Sequence, residues 1–226
     1  MKKLSLSATS LLLFIIPVVT LIVCIQIHIL HYDLRSIPFI DGEVSISLIG
    51  RQIKTIGIFR TGFFLYMFFS IFFYLKISEY FLLKGFKNRF KFYGFLANFF
   101  LCIYILALGR DGSFYENARR LAIILYIASM FINHIYVVKI FRLLKFKKKT
   151  QFSITYLRIF YVIISLMTIL IIIGLPWVNP LFKYPDQLKN IIEWNYFLLT
   201  IIFYIPLSLI FYQFNKFKKT SGNFLN

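Results

Sequence analysis

Six long apolar runs, at roughly 8–30, 56–77, 92–109, 119–138, 154–175 and 192–213, constrain this chain more than any other feature. A helix needs about 20 mostly apolar residues to cross about 30 Å of hydrocarbon, and each run is close to that length. A small globule has too little interior to hide all six. The chain has 226 residues and is 60% hydrophobic, whereas a soluble domain of that size carries about 45–50% apolar residues. The excess has to face lipid. A soluble enzyme is thereby excluded. The expected fold class is an all-α membrane protein, a six-transmembrane-helix bundle forming one integral membrane domain over residues 1–226.

Charge supplies the orientation. Lys and Arg number 26 against 8 Asp and Glu, a net charge of +18. In a soluble chain that balance would point to nucleic acid. Here the basic residues lie between apolar runs, where they set topology, and no nucleic-acid partner is expected. With the N-terminus inside, 17 of the 26 basic residues fall on inner segments beside one acid, Glu79; nine basic residues and seven acids fall outside. Both termini are therefore expected in the cytoplasm. Met1-Lys2-Lys3 resembles the start of a signal peptide. Its apolar run is too long for one and ends without a small-x-small cleavage site, so a retained first helix is expected. Pro17 and Pro206 should kink their spans. Cys24 and Cys102 sit inside apolar runs and form no CxxC pair. The inner segment 139–149 is dense in Lys and Arg. Each such residue beside an anionic leaflet contributes roughly 1 kcal/mol, so anionic lipid is the partner expected there. A composition rich in Lys, Ile, Phe, Asn and Tyr suits a bacterial inner membrane, with a eukaryotic endomembrane as the alternative.

Polar chemistry gathers on the outer side. The first outer loop runs from His31 to about Thr55. Asp41-Gly42 is a turn signal. Beyond it Val44, Ile46 and Leu48 alternate with Ser45 and Ser47, a period of two that predicts a short extended segment over the helix ends. Two readings stand. The loop is a cap that satisfies its own backbone, or it is the wall of a headgroup-sized pocket lined by Asp41, Glu43, Ser45, Ser47 and Arg51. The second outer loop holds Arg110, Asp111 and Ser113, and Ser113 with Glu116 reads as a capping box. Arg119 and Arg120 follow in the first turn of the helix, where cations oppose its dipole. Glu116 at i,i+4 from Arg120, the acids of the first loop, or a lipid phosphate held bidentately by guanidinium would offset that cost. In the third outer loop Trp177 reads as an interfacial anchor. Glu193-Trp194-Asn195 opens the last span. The helix dipole favours Glu193 there, yet an embedded carboxylate is also a functional candidate.

Other chemistry is sparse. His28 and His31 share a helix face, but zinc takes three or four protein ligands and Asp33 or Asp41 would have to join them. No metal or other cofactor is expected. His134, near the inner interface, and Asn133 read as helix–helix hydrogen-bonding residues. The chain has no Walker loop, GxSxG, HExxH or midplane carboxylate relay.

The first-loop residues Ile37-Pro38-Phe39-Ile40-Asp41-Gly42-Glu43-Val44-Ser45-Ile46-Ser47, then Gly50-Arg51 and Ile58-Phe59-Arg60-Thr61-Gly62, resemble the FGF-receptor-activating-protein/DRAM/SFK family. With six spans and Glu-Trp opening the last, the resemblance covers most of the chain. Many members carry a His-Asp pair where helix four begins; this chain has Glu116-Asn117-Ala118-Arg119-Arg120, so a role tied to that pair does not transfer. Members include factors for remodelling GPI-anchor lipid, regulators of lysosomal autophagy, and proteins affecting lipid asymmetry and phosphoinositide signalling. The resemblance implies a membrane protein acting on or near lipid. The expected function is non-enzymatic binding or regulation of membrane phospholipid through Asp41, Ser45, Ser47, Arg51, Asp111, Arg119, Arg120 and Glu193, with Arg51 and Arg120 on phosphate. One alternative is an intramembrane lipid-modifying enzyme performing acyl transfer or hydrolysis. It would use Glu193 or Asp41 as base and a loop serine as nucleophile. A small-solute transporter is the other, and it would need a polar pathway between the helices.

Overall fold

Inside a hydrocarbon layer every backbone N–H and C=O has to find a partner within the protein, and a helix does so within its own segment. The computed structural model describes residues 5–32, 37–86, 90–146, 152–178 and 186–222. Its elements are α1 (Leu6–Tyr32), α2 (Pro38–Asp41), α3 (Ile46–Arg51), α4 (Ile56–Leu83), α5 (Phe90–Ala107), α6 (Ser113–Phe146), α7 (Ile154–Val178), α8 (Asp186–Ile202) and α9 (Tyr204–Gly222). Among the described residues no strand occurs. Six helical stretches are long and apolar enough to cross a membrane: Leu6–His31, Ile56–Leu83, Phe90–Ala107, Ser113–Phe146, Ile154–Gly174 and Asp186–Phe214. The protein is an all-α, multi-pass integral membrane protein.

The spans form a closed ring. α1 packs on α4, α4 on α5, α5 on α6, α6 on α7 and α7 on α8, and the α8–α9 span returns to α1. Short connections make sequence neighbours into antiparallel space neighbours. The ring closes on the side of the chain ends, where the Ser7 and Ser208 hydroxyls lie 3.1 Å apart and Ser208 donates to the Ser7 carbonyl at 2.8 Å. The side carrying residues 37–55 is called outer, after the charge distribution.

α4, α6 and α9 run further inward than the apolar runs of their spans. α6 continues through Lys139, Arg142 and Lys145, so this part of the basic segment is helix rather than loop. Lys and Arg are good helix formers and are favoured at a C-terminal end by the dipole. Arg142 stacks over Phe146 at 5.6 Å and Lys145 over Phe152 at 5.3 Å. Lys145 also donates to the Phe152 carbonyl. Lys147, Lys148 and Lys149 lie outside the described residues. The two prolines differ. Pro17 sits inside an uninterrupted α1. The last span breaks at Phe203, between α8 and α9, because Pro206 has no N–H to offer the carbonyl four residues back.

Close helix contact depends on small residues, as is usual where lipid supplies no hydrophobic drive between helices. A Cβ on Gly62 would lie 2.1 Å from Thr20 Oγ1, and one on Gly94 would lie 2.4 Å from the Tyr74 ring. Replacing glycine by alanine in an open helix gains about 0.5–1 kcal/mol, whereas overpacking costs about 1–3 kcal/mol. Gly94→Ala should therefore lower the melting temperature of the detergent-solubilised protein. Gly57→Ala, whose Cβ meets nothing within 4 Å, should raise it or leave it unchanged.

Candidate functional site

The first outer loop folds as two short helices rather than the extended segment its alternation predicts. Pro38 opens α2 with its fixed φ. The Ile37 N–H donates to Asp41 Oδ2 at 2.9 Å, so Asp41 stabilises its own turn. Gly42, at φ +67°, ends α2 and donates to the Pro38 carbonyl. The space around Gly42 also excludes a side chain, since a Cβ would lie 2.1 Å from the Gln187 carbonyl of α8. Ser45 then caps α3: its backbone is extended (φ −84°, ψ 159°) and its hydroxyl accepts the Leu48 N–H at 3.0 Å. That local bond and the absence of a neighbouring strand favour helix over strand here. Val44, Ile46 and Ile49 are buried beneath.

Helix α8 holds this loop from the side. Asn190 donates to the Gly42 carbonyl at 2.8 Å, Trp194 Nε1 to the Val44 carbonyl at 2.8 Å, and Asn195 to the Phe39 carbonyl at 2.9 Å. Asn190 and Trp194 are four residues apart and so share a face of the helix. Trp194 is 1% exposed, with Phe39 edge-on to its ring at 6.4 Å. In the sequence Trp194 stood only as the neighbour of Glu193.

Under the loop lies a cluster of polar groups. The Ser45 and Ser47 hydroxyls are 2.9 Å apart. Ser47 is within hydrogen-bonding reach of the Tyr104 hydroxyl from α5, and its backbone N–H lies near the Glu193 carboxylate from α8. Tyr104 lies within electrostatic range of Glu193, Arg119 and Arg51. The fold thus brings Ser45, Ser47, Arg51, Arg119 and Glu193 together around a tyrosine that sequence reasoning missed. Tyr104 stands in the apolar run Cys-Ile-Tyr-Ile-Leu, and only its place near the outer end of its span hinted at a polar surrounding.

The remaining candidates are placed differently. Arg120 and Glu116 form an i,i+4 pair at 2.6 Å with side chains 72% and 50% exposed, a pair of a kind that contributes about 0–1 kcal/mol. The Glu116 N–H donates to the Gly112 carbonyl at 3.1 Å, and Ser113 is already the first residue of α6. The expected Ser113–Glu116 capping box therefore does not form, and the Glu116 carboxylate pairs with Arg120 instead. Asp41 and Asp111 are exposed. None of Asp41, Asp111 and Arg120 is among the groups that Tyr104 or Glu193 meets.

Arg119 is held by carbonyls. It donates to Ala107 at 3.1 Å and Arg110 at 2.8 Å, while Arg60 from α4 donates to Leu108 at 2.5 Å. These carbonyls lie at the C-terminal end of α5, where the last C=O groups have no helical partner and partial negative charge collects. The α5 terminus therefore offsets the cost of Arg119 in the first turn of α6.

A second polar group lies within the bundle. The Tyr74 hydroxyl is 3.2 Å from that of Tyr204 and donates to Met130 Sδ at 3.3 Å. Tyr66 reaches Tyr126 and Tyr204. Asn98 donates to Ser70 at 3.0 Å. His134 stacks on Phe203, at the break of the last span, with centroids 4.0 Å apart. These groups join α4, α5, α6 and α9. They carry no acid, and the space among Asn133, His134, Tyr74 and Tyr204 is too tight for a water molecule.

Among the described residues no three His, Cys, Asp or Glu side chains gather as a metal site. His28 is buried, and the exposed His31 contacts Lys54 instead.

Trp194→Phe keeps the ring and removes the donor to the buried Val44 carbonyl, a loss of about 1–3 kcal/mol. Hydrogen exchange should accelerate in residues 37–51 and stay unchanged in the centres of α5 and α6. No protein-family model, curated protein or solved structure matches this chain, and its site is read from its own geometry.

Proposed function

We propose that this multi-pass membrane protein binds the headgroup of a membrane phospholipid at its outer rim and regulates lipid there without chemical turnover. One observation carries the reading: Arg51, Arg119 and Glu193 lie within electrostatic range of Tyr104, and Ser47 within hydrogen-bonding reach of it, beside a loop held down by α8. Arg51 is exposed and forms no ion pair among the described residues. Its planar guanidinium matches two phosphate oxygens. The hydroxyls of Ser45, Ser47 and Tyr104 and the carboxylate of Glu193 offer donors and acceptors to the polar end of a headgroup. The loop that covers the site is also the segment that resembles the FGF-receptor-activating-protein/DRAM/SFK family. On the inner side, Lys139, Arg142 and Lys145 at the end of α6 would meet anionic lipid. A bacterial inner membrane is the proposed location, a eukaryotic endomembrane the alternative.

A second reading, acyl transfer or hydrolysis with Ser47 as nucleophile, draws on the carboxylate beside that residue. It ranks lower because Glu193 lies near the Ser47 amide, while the hydroxyl faces Ser45 and Tyr104.

Purified wild-type protein should retain phospholipid measurable by mass spectrometry. Arg51→Ala should reduce that retention about fivefold, the effect of one basic residue at an anionic surface, without lowering the melting temperature. Arg120→Ala, whose partner is Glu116, should leave it unchanged. Equal retention by Arg51→Ala and wild type would remove the reading. Turnover of a labelled phospholipid that disappears in Ser47→Ala would establish the enzyme instead.

A further inference from the structure

The outer half of the α1–α4 seam opens toward lipid as a groove of about 350 Å³, lined by Val19, Thr20, Val23, Gly57, Ile58 and Gly62. Its floor is explained: Gly62 is where Thr20 of α1 packs against α4. Gly57 is not. It lies in an ordinary helical conformation on the lipid-facing side, and an added Cβ would meet nothing within 4 Å. Glycine inside a helix is destabilising relative to alanine, and no packing contact here requires it. A side chain at Gly57 would, however, fill the upper part of the groove.

The mouth of the groove carries a cation, Lys54. Lys54, three residues before Gly57, contacts His31 at the top of α1, with Nζ 3.1 Å from Nδ1. Both side chains are exposed, and neither has a carboxylate partner among the described residues. From Gly57 to Gly62 the groove runs about 8 Å down the helix, so an apolar trough begins one turn below a pair of basic groups at the outer surface.

We propose that this groove seats an acyl chain of an outer-leaflet anionic phospholipid whose phosphate is held by Lys54 and His31. The inference rests on the reading that the protein binds phospholipid on its outer side, and it places a lipid on the α1–α4 face. Charge selects this occupant over a second copy of the chain. A two-fold contact sets the same patch against itself, which would bring Lys54 of two copies together at one height as like charges.

The test measures binding of dioleoyl phosphatidylglycerol, and of dioleoylglycerol as its phosphate-free counterpart, to the full-length protein in detergent by native mass spectrometry. Gly57→Leu places a side chain at a position whose Cβ is free of contact, so it should keep a folded, wild-type-like melting temperature and lose most phosphatidylglycerol binding. Lys54→Ala should weaken phosphatidylglycerol about fivefold and leave dioleoylglycerol unaffected. Unchanged binding in Gly57→Leu overturns the groove site, and if Arg51→Ala alone abolishes binding the outer-rim reading survives without it. Loss in Gly57→Leu and Lys54→Ala with none in Arg51→Ala supports the groove and removes the Arg51 site. A wild-type protein that binds neither lipid overturns both. A wild-type dimer that Gly57→Leu converts to monomer, with lipid binding unchanged, assigns the groove to a second copy and overturns the proposal.

Discussion

The structure depends on one constraint: backbone polar groups within hydrocarbon have no water to turn to. Long helices meet it by themselves. It becomes demanding at the outer rim, where α5 ends, the last span begins and a loop of two short helices has to lie at the interface. There the unpaired carbonyls are met by side chains from neighbouring elements. Asn190, Trp194 and Asn195 of α8 answer the carbonyls of the first loop, and Arg60 and Arg119 answer those at the end of α5. The loop stays in place because its backbone bonds are made by a rigid helix, and the polar cluster beneath it inherits that order.

The same requirement sorts the arginines and lysines. Arg60 and Arg119 are engaged by helix-end carbonyls, and Arg120 by Glu116. Arg51 and Lys54 remain exposed on the outer surface, Arg51 at the end of α3 and Lys54 in the turn that leads to α4. A cation already holding protein carbonyls gives little additional free energy to a ligand, because it must exchange one partner for another. An anionic ligand at this rim would therefore draw most on Arg51 and Lys54.

At the centre of the bundle the solution is different. Tyr66, Tyr74, Tyr126 and Tyr204 turn their hydroxyls toward one another, and Phe203 covers His134 where the last span breaks. The Tyr74–Tyr204 hydroxyl pair and the His134–Phe203 stack join helices through neutral contacts, which suits a medium where a charge costs several kcal/mol. The break at Phe203 is tolerated because it is enclosed by protein rather than exposed to lipid chains.

Much of this was legible in the sequence. The six apolar runs established the helical bundle, since each is long enough to span and too apolar to do otherwise. Ser45, Ser47, Arg51, Arg119 and Glu193 stood out because polar groups at the ends of apolar runs are few. Residues whose signal is common did not stand out: Tyr104 lies in an aromatic-rich span, and Trp194 stood only as the neighbour of Glu193. The alternation from Val44 to Leu48 predicted an extended segment, and a single Ser45 cap bond with no partner strand produced α3 instead.

Composition and the spacing of charge and apolar residues determine the solvent, the number of spans and which loops carry polar chemistry, because these follow from transfer of individual side chains into lipid. Which polar groups meet one another was decided by tertiary structure alone. Ser47 and Glu193 are 146 residues apart in the chain and meet because the ring of helices closes and α8 binds the loop backbone. Pairing at that distance is set by helix packing and hydrogen-bond direction, which no local pattern encodes.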